Sequence, residues 1–515
     1  MKQVYNPYLP SYEYVPDGEP HIFGDRLYIY GSHDRFNGAN YCLNDYVCYS
    51  ADVHDLTDWR YEGVILRKEQ DPRNQNIPAD TPPAGRAPAA LEQIHEDELN
   101  GPGIIPFYAC DVTRGPDGRY YLYYGLGECW EIGVAVCDEP AGQYEFYGFV
   151  QHPDGMPVGR REGDLFQFDP GVFIDDDGKI YLYSGNGPAR MGIPYAHQAS
   201  QVMELMPDML TIKTEPRRML PLLPESIGTD FEGHAYYEAS SLRKINGIYY
   251  LVYSSVNSHE LCYATSDRPD GDFRFGGTLI DHADVYLDGR TEAEALNPMG
   301  NTHGGMECVD GQWYIFYHRH SNRTPYCRQG CAEKLTFMPD GSIRQAEVTS
   351  CGLNKGPLLG VGEYPAYICC RLTGIHGAVI SRPQFMTPEY PYLTQDVPDA
   401  SPLEMSAEEP VQYVANLRCG SVVGYKYFRI ETLDRIRVCL RGQAKGKLLI
   451  KTDAEGEALG EIAVSLDTRE WTALEGDVRI SAGVHALYFC YEGEGAIDMR
   501  NFSLIDGTDQ EGGAC

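Results

Sequence analysis

The sequence predicts an all-β protein, a five-bladed β-propeller followed by a jelly-roll-like β-sandwich. Three observations carry this expectation. A hairpin phrase that opens on a polar side chain and closes on a tyrosine-rich strand recurs five times. Tyrosine and glycine number 39 and 55 among 515 residues, which favours many short strands and turns over helices. The pattern then changes past Gly352, where a proline-rich passage leads into a second set of alternating segments.

The hairpin copies run EPHIFGDRLYIYGSHD from Glu19, DVTRGPDGRYYLYYG from Asp111, DPGVFIDDDGKIYLYSG from Asp169, EASSLRKINGIYYLVYSS from Glu238 and HGGMECVDGQWYIFYHRH from His303. Most pair a short apolar run with a tight turn and a returning aromatic strand. Such units stack as a ring of blades whose inner strands aim their leading residues at one axis. The long connections at 68–106 and 284–301 are expected to build the binding rim. We set the propeller at 1–355 and the sandwich at 356–515. In the latter, seven short strands are expected between YKYFRIE and AIDMRNFSLI, and the tail DGTDQEGGAC is expected to fray.

The net charge of −33 repels phosphate backbones and anionic lipid, so neither nucleic acid nor a membrane is an expected partner. No stretch approaches the length of a membrane span. The opening MKQVYNPYLPSYEYVPDGEP has no apolar segment of the kind a signal peptide needs, and 16 cysteines then read as mostly reduced thiols of a cytoplasmic protein. Nothing in the sequence sets the oligomeric state.

Counting from each leading polar residue to the first aromatic of the returning strand gives 11 from Glu238, 12 from Asp169, 10 from His303 and 9 from Asp111. At the first hairpin, Asp17 gives 11 and Glu19 gives 9. Similar offsets place these side chains at similar heights near the axis. Asp25, Asp117, Asp175, Asp176 and Asp177 fall instead in turns, where aspartate serves the backbone. Converging carboxylates without a serine, cysteine or lysine nucleophile motif suit acid/base hydrolysis of an acetal, one acid protonated and one ionised. The same residues would equally serve to cap or bridge strands. His318, His320, Cys327 and Cys331 suggest zinc by proximity, but the spacing matches structural zinc sites loosely and we assign none.

Residues 1 to about 350 resemble glycoside hydrolase family 43, through FDPGVFIDDDGKIYLYSG, YYEASSLRKINGIYYLVYSS, NTHGGMECVDGQWYIFYHRHS and DYVCYSADVHDLTDWRYEG. The resemblance implies an inverting five-bladed glycosidase of the arabinofuranosidase/xylosidase type acting on a small oligosaccharide. It implies that Glu238 is the general acid and that Asp169 tunes and orients it. It sets His303 in the central channel near a bound calcium ion or water cluster, with no cofactor required. The family usually has Asp-Pro before its first inner strand, whereas this chain has Pro16-Asp17-Gly18-Glu19-Pro20. Asp17 keeps the spacing and Glu19 keeps the proline, so both stand as candidates for the base, Asp17 first. Tyr237, Trp130, His33 and Asp34 are the expected sugar contacts. Arg319 and Arg328 are placed to approach the site from the fifth blade, but neither is assigned a role.

The C-terminal segment resembles carbohydrate-binding module family 6 over about residues 405 to 505. Trp471 and Tyr425 are either sugar platforms or core, and the module is expected to close one side of the propeller. The functional expectation is release of terminal α-L-arabinofuranosyl residues from short (arabino)xylo-oligosaccharides. β-Xylosidase activity is the close alternative, and a non-catalytic sugar-binding propeller the more distant one.

Overall fold

The computed structural model describes residues 2–38, 40–75, 105–127, 129–381, 385–396 and 410–506. Most of the 68–106 connection and all but the first residue of the C-terminal tail lie outside the described residues. Each predicted hairpin forms the inner half of a small antiparallel sheet. The first blade holds β1 (Glu19–Phe23), β2 (Arg26–Tyr30), β3 (Tyr46–Asp52) and β4 (Asp55–Leu66). The second holds β5 (Phe107–Arg114), β6 (Tyr120–Leu126), β7 (Gly133–Cys137) and β8 (Glu145–Phe149). The third holds β9 (Gly171–Ile174), β10 (Ile180–Asn186), β11 (Ala199–Leu205) and β12 (Arg217–Arg218). The fourth holds β13 (Tyr236–Ile245), β14 (Ile248–Ser255), β15 (Glu260–Ser266) and β16 (Arg274–Asp281). The fifth has β17 (Met306–Val309), β18 (Gln312–His320) and β19 (Arg328–Lys334).

The turns follow from their residues. Asn246-Gly247 and Asp310-Gly311 all have positive φ (51°, 84°, 50° and 81°), the two-residue geometry that matches strand twist and that Asn/Asp-Gly pairs adopt at least cost. Asp175 accepts bonds from Lys244 Nζ at 2.7 Å and Tyr249 Oη at 2.6 Å, so this turn acid is structural. The tyrosine richness also has a physical cause. Tyr30, Tyr123 and Tyr183 are fully buried, and each donates its hydroxyl to a backbone carbonyl beyond its own sheet, on Pro140, Met209 and Pro269 at 2.7, 2.7 and 2.8 Å. Tyrosine therefore fills the space between blades and satisfies a loop carbonyl, which phenylalanine cannot do.

The ring closes through the N-terminal segment. Asn6 brackets Ala332 of β19, donating to its carbonyl at 3.0 Å and accepting from its N–H at 2.9 Å. At the axis, β17 enters through His303-Gly304-Gly305. A Cβ on Gly304 would stand 2.0 Å from the Phe316 carbonyl oxygen, and one on Gly305 2.4 Å from Glu19 Oε2. Only glycine lets the inner strands approach so closely.

The second part is sheet-rich, and its strands are longer than predicted. The expected short segments fuse into Leu433–Lys451, Gly460–Ile480 and Gly483–Ile505. Gly442 and Gly495, at φ 143° and 79°, carry two of these strands through positions other residues resist. Tyr425 is fully buried and donates to the Ala366 carbonyl at 3.0 Å, so it is core. Trp471 is covered by Arg441, whose guanidinium lies 4.3 Å from the ring centre. This part also grips the propeller rim: Met299 N–H donates to the Val379 carbonyl at 2.8 Å, and Ser381 N–H to the Met299 carbonyl at 2.6 Å.

Candidate active site

A cleft of about 710 Å³ opens at one end of the propeller axis. It gathers Asp17 from before β1, Asp169 from before β9, Glu238 from β13, His303 from before β17 and Arg328 from the start of β19. Two of these positions, and the neighbour of a third, depart from ordinary strand backbone. Asp17 and Asp169 have φ of 56° and 44°, and Ala239, next to Glu238, has 69°. The β13 ladder also slips on both sides of Glu238. Left-handed non-glycine residues cost on the order of 1–3 kcal/mol each and persist where surrounding structure holds them. Here they turn three carboxyls from three blades into one space.

The electrostatics separate the three acids. Arg328 Nη1 donates to Asp17 at 3.0 Å, a charge-assisted bond made to a carboxylate. Asp169 accepts from His303 Nδ1 at 3.4 Å. Burial works against the His303 charge, but Asp169, with Asp17 and Glu238 beyond it, outweighs burial and lifts the imidazole to about 9. Glu238 has no bonded cation; Asn186 Nδ2 donates to its Oε2 at 3.1 Å. Burial first, and then the negative charge of Asp169, push Glu238 up to about 8. Burial raises Asp169 as well, but its bond to His303 pulls it back. Glu238 is therefore the carboxyl that holds a proton at neutral pH.

The two candidates for the base part company. Asp17 lines the cleft. Glu19 lies outside it, accepting from Ser241 Oγ at 2.7 Å and Arg243 Nη2 at 2.9 Å. Asp17 lies before β1 at φ 56°, whereas Glu19 is the first residue of the strand and sits deeper in the channel, against Ser241 and Arg243. Of the expected sugar contacts, Tyr237 lines the cleft. Asp34 is 1% exposed and accepts from Arg328 Nε and Nη2 at 2.8 and 3.0 Å; it orients the arginine and does not reach a ligand. His33 is buried against the Asp45 carbonyl at 2.9 Å and lowered to about 4, chiefly by burial. Trp130 is 39% exposed and stands one ring behind the wall. It packs on Phe166 at 5.6 Å, which stacks on the cleft residue Phe168 at 5.5 Å.

Residues 16–343 match the sequence profile of glycosyl hydrolases family 43. This chain belongs to that family. A protein named xylosidase/arabinosidase from Thermoclostridium stercorarium is 45% identical over 514 residues, covering 98% of this chain and 99% of the relative. A xylosidase/arabinosidase of Bacteroides ovatus is 30% identical, over 60% of this chain and 87% of its own length. Among solved structures, the β-xylosidase RS223 is 26% identical with a TM-score of 0.47, covering 65% of this chain and 95% of its own.

Within the family 43 domain, sequence reading set Arg328 near the site without a role, weighed His318 only as a zinc ligand, and missed Asn186. Arg328 comes from the fifth blade and bonds both Asp17 and Asp34. Asn186 is oriented by Gln198, which donates to its Oδ1 at 3.0 Å. His318 receives the Asp17 N–H at Nδ1, 3.3 Å away. The available signal was charge balance: two buried aspartates at the first blade need a cation. His303 Nδ1 faces Asp169 Oδ2 at 3.4 Å, and a calcium ion near this ring stands as a proposal. Deeper in the channel, Glu19, His21 and Asp111 bring ligand-type atoms within 4.8 Å. However, His21 Nε2 is already paired with Asp111 Oδ1 at 2.6 Å, and Arg243 with Glu19 at 2.9 Å.

Proposed function

We propose that this protein is an inverting, exo-acting glycosidase that releases terminal α-L-arabinofuranosyl residues from short (arabino)xylo-oligosaccharides, with terminal β-D-xylosyl residues as a second substrate. The observation that carries the reading is Glu238, a carboxyl pushed to about 8 in the same cleft as a carboxylate from the opposite side of the ring. The Glu238 O–H gives its proton to the glycosidic oxygen as the bond from that oxygen to the anomeric carbon breaks. Asp17 takes a proton from water as the water oxygen bonds to the opposite face of that carbon. Asp17 ends protonated, Glu238 ionised, and the configuration inverted; both are reset by solvent. Asp169 disfavours the ionised form of Glu238 until the leaving group needs its proton.

Both sugars stay in the reading because the 45%-identical relative is named for both activities. The test is hydrolysis of nitrophenyl α-L-arabinofuranoside and nitrophenyl β-D-xyloside, with the product anomer followed by NMR. Release with inversion from either supports the reading and ranks the sugars. Retention removes the single-displacement mechanism, and no release from both, together with tight pentose binding, favours the sugar-binding alternative.

A further inference from the structure

One wall of the cleft takes no part in the proton transfers described above. His259, in the loop joining β14 to β15, lines the cleft beside Ser258 and Glu292. Its Nδ1 bonds Asp281 Oδ2 at 2.5 Å. Asp281 is fully buried, and its Oδ1 accepts the N–H groups of Ala283 and Val285 at 2.9 and 3.1 Å. The ring is thus fixed through Nδ1. Its other nitrogen, Nε2, stands 3.7 Å from Glu292 Oε1, on a side chain that is 62% exposed. Burial opposes charge on His259, but Asp281, Glu260 and Glu292 together raise it.

Glu292 belongs to the long connection between the fourth and fifth blades, which the second part of the chain holds in place. Leu372 N–H donates to the Leu296 carbonyl at 2.8 Å, and Met299 is bridged to Val379 and Ser381. Ile380 and Ser381 themselves line the cleft. Glu238 and His259 belong to the same blade, and the acid must face the oxygen of the departing group. The departing group therefore lies on the side where His259 and Glu292 stand.

We propose that His259, oriented by Asp281 and working with Glu292, binds the sugar unit next to the scissile bond and makes the site prefer a glycosyl leaving group over an aryl one. The free ring nitrogen of His259 and a carboxylate oxygen 3.7 Å apart match the hydrogen-bonding character of neighbouring hydroxyls on a pentose, which an aryl group lacks. This assignment rests on the glycosidase reading above.

The experiment compares the full-length protein with His259→Ala, His259→Gln, Asp281→Asn and Glu292→Gln on two substrate types: xylobiose with arabinofuranosyl-xylobiose, and the two nitrophenyl glycosides. His259→Ala is expected to lose at least ten-fold more kcat/KM on the oligosaccharides than on the nitrophenyl glycosides, mostly through KM. His259→Gln, which keeps an N–H donor, recovers part of that difference, and Asp281→Asn shows the same bias more weakly. Should His259→Ala fail to fold, the exposed Glu292→Gln carries the comparison and is expected to show the bias alone. Equal losses on both substrate types across the folded variants would overturn the assignment and leave His259 a structural residue. If the unmodified protein cleaves neither type, the glycosidase reading fails and this assignment falls with it.

Discussion

The two ends of the propeller axis hold nearly the same inventory and do different things with it. The cleft end has Asp17, Asp169 and Glu238 with Arg328 and His303. The deep end has Glu19, Asp111 and Glu307 with Arg243 and His21. At the deep end every acid is bonded. Glu19 takes Ser241 and Arg243, and Glu307 takes the Cys308 N–H at 2.8 Å. Asp111 takes His21 and the N–H groups of Val112 and Val172 at 2.7 and 2.6 Å. At the cleft end one carboxyl, Glu238, has among the described residues only a neutral amide bonded to it and faces open space. A buried network whose members are all satisfied ties strands together. The same network with one carboxyl left without a cation raises that carboxyl's pKa, which is the basis on which Glu238 is proposed as the acid.

The largest expected effects would break this contrast outright if absent. Asp17→Asn should lower kcat by about 10²–10⁴-fold, the range a general base contributes, with a smaller fall in melting temperature than Glu19→Gln because Asp34 still pairs with Arg328 through two bonds. Glu19→Gln should do the reverse, because it leaves the buried Arg243 short of a charge partner; removing one partner of a buried pair costs roughly 3–5 kcal/mol. A loss of turnover in Glu19→Gln equal to that of Asp17→Asn, measured on folded protein, would erase the distinction between the two ends. Glu238→Ala should lose far more activity on natural glycosides than on substrates with very good leaving groups, since only the former need the proton; matched losses on both would remove Glu238 as donor.

Arg328→Lys should cost less, about ten- to a hundred-fold in kcat/KM, because an ammonium cannot bridge Asp34 in two places while reaching Asp17. A lysine variant with full activity would mean that Asp17 needs only a nearby positive charge.

The smallest effect is in pH dependence. Glu238 is raised from 4.5 in an unfolded chain to about 8 when folded, so the stability tied to its proton is complete below 4.5 and is lost as pH rises towards 8. That loss is at most about 1.4 kcal/mol per pH unit. Glu238→Gln should therefore gain melting temperature over the parent between pH 5 and 8, while the parent's kcat/KM should fall above about pH 8. A constant difference in melting temperature across that range would show that Glu238 ionises normally in the fold.

The offset count found Asp17, Asp169 and Glu238 because blade geometry is local: a fixed hairpin length sets the height of its leading residue. The same count could not separate Asp17 from Glu19, since their offsets of 11 and 9 both fall among those of the other hairpins. Loop residues escaped it altogether. His33 and Asp34 follow β2 and read as sugar contacts, but Arg328, from nearly 300 positions later, closes over Asp34. In the sandwich, the glycines that read as strand breaks let single strands continue through bends.

By itself, then, the sequence determined the all-β architecture, the ring of hairpins and the family, because those rest on periodicity and turn chemistry within about 20 residues. Tertiary structure alone supplied the reason Glu238 keeps its proton, which of Asp17 and Glu19 faces the cleft, and that Ile380 and Ser381 of the second part complete its wall. A pKa depends on burial and on charges brought from other blades, and neither is written in any local stretch of the chain.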